Sequence, residues 1–247
     1  VNYNGLKITR DIWPIWGDEI TKLHGIAENA TPVDSSERGS VEEHDILPAY
    51  IEELCAKFKI AKGTVIAMDC GNGVAGPIIR PMLEKFGIEI HSLYEEPDGT
   101  FPNHLPDPEV PKYMENLCQM VKDESAVIGL GFDGDADRLG VIDEKGVKRS
   151  ADHLLLVMAR YLLEKEGSGK VIYDVKCSDY LEKAILAHGG TPIMWKTGHS
   201  IIKEKMRQEK ALIAGELSGH ICVAKDYYGF DDGLFAALFT LHILNEK

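Results

Sequence analysis

The sequence has no stretch that could cross a bilayer as a helix, because no apolar run approaches the ~18 residues required. It is also short of positive charge, with 27 Lys and Arg against 40 Asp and Glu and a net charge of −13 over 247 residues. An acidic field of that size argues against nucleic acid or an anionic membrane as the main partner. A local cluster of cations could still receive a small anionic substrate. Cysteine is sparse: Cys55, Cys70, Cys118, Cys177 and Cys222 are scattered, odd in number and never form a C-x-x-C pair. That pattern excludes a thiolate zinc site and a disulfide framework. It fits a reducing compartment, with the cytoplasm as the expected location. The opening Val1-Asn2-Tyr3-Asn4-Gly5-Leu6-Lys7 has neither an initiator methionine nor a signal pattern, so a fragment boundary is expected just upstream.

What is present is a globular composition, 44% hydrophobic and 27% charged, in a chain long enough for two domains. A strand at 6–9 and a helix at 17–28 are followed by a polar linker at 31–40, where a domain boundary is expected. One order of elements then occurs twice. The first copy reads helix 46–58, strand 64–68, a glycine loop, helix 77–86, strand 88–93, helix 111–122, strand 126–130, an Asp-rich loop and strand 139–142. The second reads helix 152–166, strand 170–175, helix 180–188, strand 192–195, helix 201–208, strand 211–214, a Gly-Glu loop and strand 221–224. Short apolar runs alternating with amphipathic helices make this an α/β protein of two similar tandem domains. A last helix at 231–245 resembles the one at 152–166 and points to further structure beyond it. The Asp-rich and Gly-Glu loops fill the same slot in their copies. Since ligands collect at loops beyond strand ends, two such loops facing one cleft would form a single site.

The strongest chemical signal is Gly131-Phe132-Asp133-Gly134-Asp135-Ala136-Asp137-Arg138. Carboxylates this close repel by about 1 kcal/mol per pair at ~4 Å in water, and more where water is excluded. Alternate spacing turns all three to one side, and Gly134 would let the backbone bend around a cation. Hard oxygen ligands select Mg²⁺ or Ca²⁺, and the fork of Arg138 suits a phosphate oxygen beside the metal. The rival readings are a solvated acidic turn and a calcium EF-hand. Glu144 stands where such a loop ends, but Arg138 occupies its obligatory glycine position and the flanks read as strands.

Gly71-Asn72-Gly73-Val74-Ala75-Gly76 matches a dinucleotide fingerprint, with Glu95 and Glu96 about 20 residues on. Pro77 removes an N–H where a pyrophosphate would sit, and Asp69 adds negative charge, so the loop reads as a tight strand-to-helix turn. A nucleotide-binding module is the alternative. Asp179 and Glu182 are spaced for a capping box, after Lys176, which projects from a strand end. Lys196, Thr197, Gly198 and His199 share a second strand-to-helix turn, where a phosphate could bind or a proton be relayed. Glu216, Ser218 and His220 lie in Gly215-Glu216-Leu217-Ser218-Gly219-His220, whose glycines permit close approach to a ligand.

Phe132 to Arg138, Trp195-Lys196-Thr197-Gly198-His199-Ser200 and Gly215 to His220, in this order, resemble the α-D-phosphohexomutases, nearest their bacterial phosphomannomutase/phosphoglucomutase branch. Tyr3 to Lys7, Asp69 to Gly73 and Asp174 to Cys177 are similar too, so the likeness covers essentially the whole chain. It implies four domains around a cleft, with residues 1–43 a remnant of the first, 44–147 the second and 148–247 the third. Mixed sheets flanked by helices are implied for the two complete domains. The resemblance assigns Asp133, Asp135 and Asp137 to Mg²⁺, Lys7, Arg138 and His199 to catalysis, and Lys176, Lys196, Thr197, Gly198, Glu216, Ser218 and His220 to substrate, with Glu216 and Ser218 on the sugar 3- and 4-hydroxyls. It implies a hexose phosphate substrate (mannose or glucose, with an amino sugar as alternative) and glucose 1,6-bisphosphate as activator. No nicotinamide cofactor, nucleic acid or membrane is implied. The family's phosphoserine loop would end before Val1 and its fourth-domain phosphate loop would follow Lys247, so the chain alone is expected to be inactive. A catalytically silent sugar-phosphate-binding module is the remaining alternative.

Overall fold

A computed structural model describes residues 7–31 and 39–246. Residues 1–6, and most of the expected linker, lie outside the described residues. The chain opens with a hairpin of β1 (Thr9–Arg10) and β2 (Trp13–Pro14), then helix α1 (Asp18–Asn29).

The first complete unit contains α2 (Leu47–Lys57), β3 (Val65–Asp69), α3 (Gly76–Lys85), β4 (Glu89–Leu93), a 3-10 turn (Pro111–Met114), α4 (Glu115–Asp123), β5 (Ile128–Phe132), β6 (Leu139–Asp143) and β7 (Lys148–Arg149). Its strands lie in the order β4-β3-β5-β6-β7. β3 is parallel to β4 and β5, and β6 turns back antiparallel to both β5 and β7. The second unit repeats this plan with α5 (Ala151–Glu166), β8 (Gly169–Asp174), α6 (Asp179–Ala187), β9 (Gly190–Trp195), α7 (His199–Glu209), β10 (Ile213–Gly215), β11 (Ile221–Val223) and α8 (Gly233–Asn245). Its order is β11-β10-β8-β9, with β8 parallel to its neighbours and β11 antiparallel to β10. The sheets are mixed, as expected. β5 and the central residues of β3 (Val65 to Met68) and β8 (Val171 to Tyr173) are apolar runs rather than alternating ones, because helices cover both faces of a largely parallel sheet.

α8 fastens the units together. It is apolar on every side, and Gly233 through Leu241 are all buried, the pattern of a helix with no solvent face. Phe58, just beyond α2, packs on Phe235 and Phe239 of α8, with ring centroids 5.1 and 5.9 Å away. One continuous apolar cluster runs from Leu54 and Ile66 through Leu155 and Val171 to Phe235 and Leu238. A single core therefore fixes the two ligand loops relative to each other.

Two local expectations are corrected. The N-cap of α6 is Ser178, without a side-chain capping bond, so Asp179 and Glu182 form no capping box. The Ser178 N–H donates instead to Asp152 Oδ2 at 3.0 Å, and this distant acceptor does the work of the box. The helix expected at 111–122 starts as a 3-10 turn over Pro111–Met114, and the α-helix itself begins at Glu115.

Candidate active site

The Asp-rich loop leaves the buried strand β5, and the Gly-Glu loop leaves the equivalent strand β10. The two loops touch: Arg138 and His220 form an isolated antiparallel bridge, and Leu139 N–H donates to Gly219 O at 3.2 Å. The repeat thus brings both expected loops onto one cleft.

Within the first loop Asp133 is buried. Its Oδ2 accepts from Arg138 Nε at 2.8 Å and its Oδ1 from the Arg138 backbone N–H at 3.0 Å. A third bond takes Arg138 Nη1 to Asp107 Oδ1 at 3.0 Å. Lys7 Nζ lies 3.2 Å from Asp135 Oδ2 and also bonds Asp137. Carboxylate oxygens of Asp133, Asp135 and Asp137 all lie within 4.8 Å of one another. The loop bends at Ala136, whose φ is +62°. The bend expected at Gly134 therefore falls two residues later, and a non-glycine residue in this region carries strain of about 1–3 kcal/mol. Gly134 is small for another reason: a Cβ there would meet Pro106 Cγ at 3.2 Å.

This trio suits a hard divalent cation. The donors are all oxygen, and the Lys7 ammonium already acts as a stand-in cation against two of them. Asp137, His220 and Asp231 form a second cluster with the spacing of a metal site. Its imidazole nitrogen suits softer metals, and Lys203 Nζ already neutralises Asp231 at 2.7 Å.

Burial raises the Asp133 carboxyl to about 6 against the opposing pull of Arg138. Burial also lifts Asp135, but the Lys7 ammonium outweighs it and holds that carboxyl below its ordinary range. A cation must displace the proton on Asp133. Its affinity is therefore expected to be level above about pH 7 and to fall by up to about tenfold per unit below about pH 6. In the metal-free chain the sign is opposite for stability. The fold takes up this proton near 6 and the unfolded chain near 3.8, so this carboxyl contributes rising stability as pH falls through that window. Calorimetric titration of Mg²⁺ at about pH 5.5 and about pH 7.5 checks the first statement.

The glycine fingerprint is filled by protein. A Cβ on Gly71 would meet Pro106 Cβ at 2.7 Å, one on Gly73 would meet Gly134 O at 2.8 Å, and one on Gly76 would meet Glu95 O at 2.2 Å. Val74 N–H donates to Gly134 O at 3.1 Å, and Asp69 accepts from Gly71 N–H at 2.8 Å. The loop is a buttress for the Asp-rich loop, which answers the nucleotide-binding alternative. Gly73→Ala should displace the Gly134 carbonyl, lowering stability by about 1–3 kcal/mol and weakening cation binding several-fold. Urea unfolding with and without Mg²⁺ measures both.

In the second unit Asp174 ties the loops together from the end of β8. It accepts from Thr197 Oγ1 at 2.9 Å, Cys177 Sγ at 3.2 Å and Leu217 N–H at 3.3 Å. Glu216 is buried, and its Oε1 accepts from Gly198 N–H at 2.5 Å. Gly198, at φ +133°, is the N-cap of α7, which begins with His199. Ser218 is half-buried in the β10–β11 turn, while Lys176 and Lys196 are exposed on the flanking turns. Lys7 reaches the cleft because the hairpin lies on α7, with Arg207 over the Trp13 ring at 5.2 Å and Trp16 Nε1 donating to Glu204 at 2.8 Å.

Asp231 was not anticipated. Its Oδ2 lies 3.2 Å from His199 Nδ1 and 3.1 Å from His220 Nδ1, and its Oδ1 lies 2.7 Å from Lys203 Nζ. The two rings stack with centroids 5.3 Å apart. Burial opposes ionisation of Asp231, but the contacts from His199 and His220 and the charge of Lys203 overcome it and hold the carboxyl far below its ordinary range. Burial likewise disfavours the His220 imidazolium, yet Asp231 and Asp137 hold its pKa above the ordinary value. Burial opposes the Lys7 charge too, and the two loop aspartates outweigh it, so this ammonium keeps its proton. The available signal was Asp231-Asp232-Gly233 before a wholly apolar helix. Asp232 alone caps α8, accepting from Phe235 N–H at 2.9 Å, which leaves its neighbour free for another task.

Two family models match the chain: phosphoglucomutase/phosphomannomutase, alpha/beta/alpha domain II, over residues 48–146, and domain III over residues 150–247. The phosphomannomutase/phosphoglucomutase of Pseudomonas aeruginosa is 41% identical over 248 residues, covering 99% of this chain and 52% of that protein. The crystal structure of a phosphoglucomutase/phosphomannomutase family protein from Burkholderia thailandensis matches with a TM-score of 0.88 and 37% identity, over 94% of this chain and 50% of that one. An Aspergillus fumigatus N-acetylphosphoglucosamine mutase, solved with GlcNAc-6P and magnesium, shares the fold at a TM-score of 0.57 and 17% identity, over 81% of this chain and 50% of that one. The chain spans about half the length of the relatives it matches.

Proposed function

Because the chain belongs to the phosphoglucomutase/phosphomannomutase family, of which it carries domains II and III, we propose that it forms the metal and sugar half of a phosphohexomutase. The complete protein would interconvert hexose 1-phosphates and hexose 6-phosphates of the mannose or glucose type: a phosphoserine from outside this chain would give its phosphate to the free hydroxyl, and the resulting hexose 1,6-bisphosphate would turn in the cleft and return its other phosphate to the serine. The observation that carries this reading is the Arg138–His220 bridge, which sets the aspartate trio beside the Glu216 loop.

Asp133, Asp135 and Asp137 would hold Mg²⁺, which supplies charge neutralisation to phosphoryl oxygens when bound. Arg138 opposes protonation of the buried Asp133 and orients it. Lys7, with its proton held firmly, suits the role of acid or electrostatic clamp rather than base. His220 and His199 turn Nδ1 toward Asp231, which leaves Nε2 of each ring to meet a sugar hydroxyl or a phosphate oxygen. Glu216 and Ser218 would grip the 3- and 4-hydroxyls. These nearly exchange places when a bisphosphate turns over, so one pair of groups can serve both orientations. The exposed Lys176, Lys196 and Thr197 would meet the outer phosphate at the rim of the cleft. Glucose 1,6-bisphosphate fits the same site as an activator, because either of its phosphates can occupy the metal side. Among the described residues no helix is long and apolar enough to cross a membrane, and the reading is of a cytoplasmic enzyme.

The test is a coupled assay of the complete polypeptide with mannose 1-phosphate and glucose 1-phosphate, with and without Mg²⁺. Metal-dependent formation of the 6-phosphates is expected from that polypeptide, and no turnover from the 247-residue chain alone. Absence of mutase activity in the complete protein, or full turnover by this chain, would overturn the reading.

A further inference from the structure

Asp231 belongs to neither ligand loop, yet three side chains from two other elements converge on it. His199 opens α7, Lys203 lies one turn further along that helix, and His220 precedes β11. All three approach a carboxylate whose side chain is only 6% exposed. Nδ1 of both histidines and Oδ2 of Asp231 are buried, and neither N–H lies in hydrogen-bond alignment with the oxygen, although both contacts are close. Asp231 Oδ2 faces the Nδ1 edge of both stacked rings, at 3.2 Å from His199 and 3.1 Å from His220, and a carboxylate this close favours an N–H over a lone pair at each Nδ1.

Its own position is fixed from behind. Asp232 caps α8 and accepts from Tyr50 at 2.8 Å and Tyr227 at 2.6 Å. Gly233 N–H donates to Ala136 O at 3.0 Å, and a Cβ on Gly233 would meet Ala136 O at 2.8 Å. Residues 231–233 thus join the Asp-rich loop, the start of α8 and both histidines in one rigid knot.

We propose that Asp231 is a positioning residue for the phosphoryl-transfer site: one shared carboxylate fixes the rotation and the Nδ1–H tautomer of His199 and His220 together, presenting both Nε2 atoms to the same ligand. The proposal rests on the mutase reading for its kinetic consequence, but not for its structural one. Asp231 touches no substrate and acts only through the two rings. Fixing an imidazole's tautomer with a buried carboxylate is a recurrent device in proton transfer. Here one carboxylate serves two rings, so its loss disturbs both at once.

The test is Asp231→Asn, which keeps shape and volume. An amide offers an oxygen to only one side, so either Lys203 loses its acceptor or the histidines face a donor. In the complete protein kcat should fall about 30-fold with KM changed by less than about threefold, because binding groups such as Glu216 are untouched. In nitrogen-15 imidazole spectra of the wild-type 247-residue chain, both neutral rings should show protonated Nδ1 and unprotonated Nε2. The variant should shift at least one ring to the other tautomer. Overturning results are a variant with kcat within about threefold of wild type, a loss confined to KM, or wild-type rings protonated at Nε2. The wild-type spectrum needs no variant to fold. A complete protein with no mutase activity but the expected tautomers would count against the functional reading and leave the positioning role standing.

Discussion

Asp135→Asn is expected to remove metal-dependent turnover from the complete protein, by about 10³-fold, while leaving the stability of the fold within about 0.5 kcal/mol. The separation of the two effects follows from the position of this carboxylate. Its side chain is 65% exposed and pairs with the Lys7 ammonium at 3.2 Å. An ion pair this open to water contributes little to folding. Asp133 would be a poorer probe, because its buried carboxylate anchors Arg138 through two bonds. Asp137 is also entangled, since His220 Nδ1 lies 3.6 Å away. Only Asp135 offers its charge to a cation without also holding the loop in shape. Turnover measured across a Mg²⁺ series, alongside thermal unfolding, gives both quantities. Turnover near wild type would mean that the trio is not the metal site.

Glu216→Gln is expected to lower kcat/KM by about 10²-fold, and by similar factors for the mannose and glucose series. The glutamine oxygen can still accept from Gly198 N–H, so the turn into α7 should survive. What changes is the rest of the group. A buried carboxylate accepts at both oxygens, whereas the amide presents a donor on one side. Bonds from sugar hydroxyls to a charged acceptor are each worth about 1.5–3 kcal/mol, and one lost or inverted bond accounts for the expected factor. Because the 3- and 4-hydroxyls are common to both sugars, a change in their ratio would place Glu216 elsewhere on the substrate. Kinetics with both 1-phosphates, with circular dichroism as the fold control, decide the matter.

The fold was legible because its elements are set by local patterns. β3 and β5 are unbroken apolar runs, α5 carries its apolar stripe onto the core, and Gly167 ends it in the left-handed conformation. The repeat was legible as an order of elements, and the equivalence of the two loops followed from it. Less visible was anything decided by partners distant in sequence. The bend at Ala136 could not be read locally, since glycine at 134 answers to its close approach to Pro106 rather than to a positive φ. The capping of α6 depends on Asp152, a residue of the preceding helix. Asp231 stands beside a helix cap and looks like one. Its role emerges only when His199, Lys203 and His220 are brought to it by tertiary packing.

The most direct measurement is a crystal structure of this chain soaked in Mn²⁺, read from the anomalous signal, since manganese shares the preference of magnesium for oxygen ligands. A peak coordinated by Asp133, Asp135 and Asp137, with Lys7 displaced from the trio, is the expected result. A peak seated instead among Asp137, His220 and Asp231, or none at a saturating concentration, would contradict it.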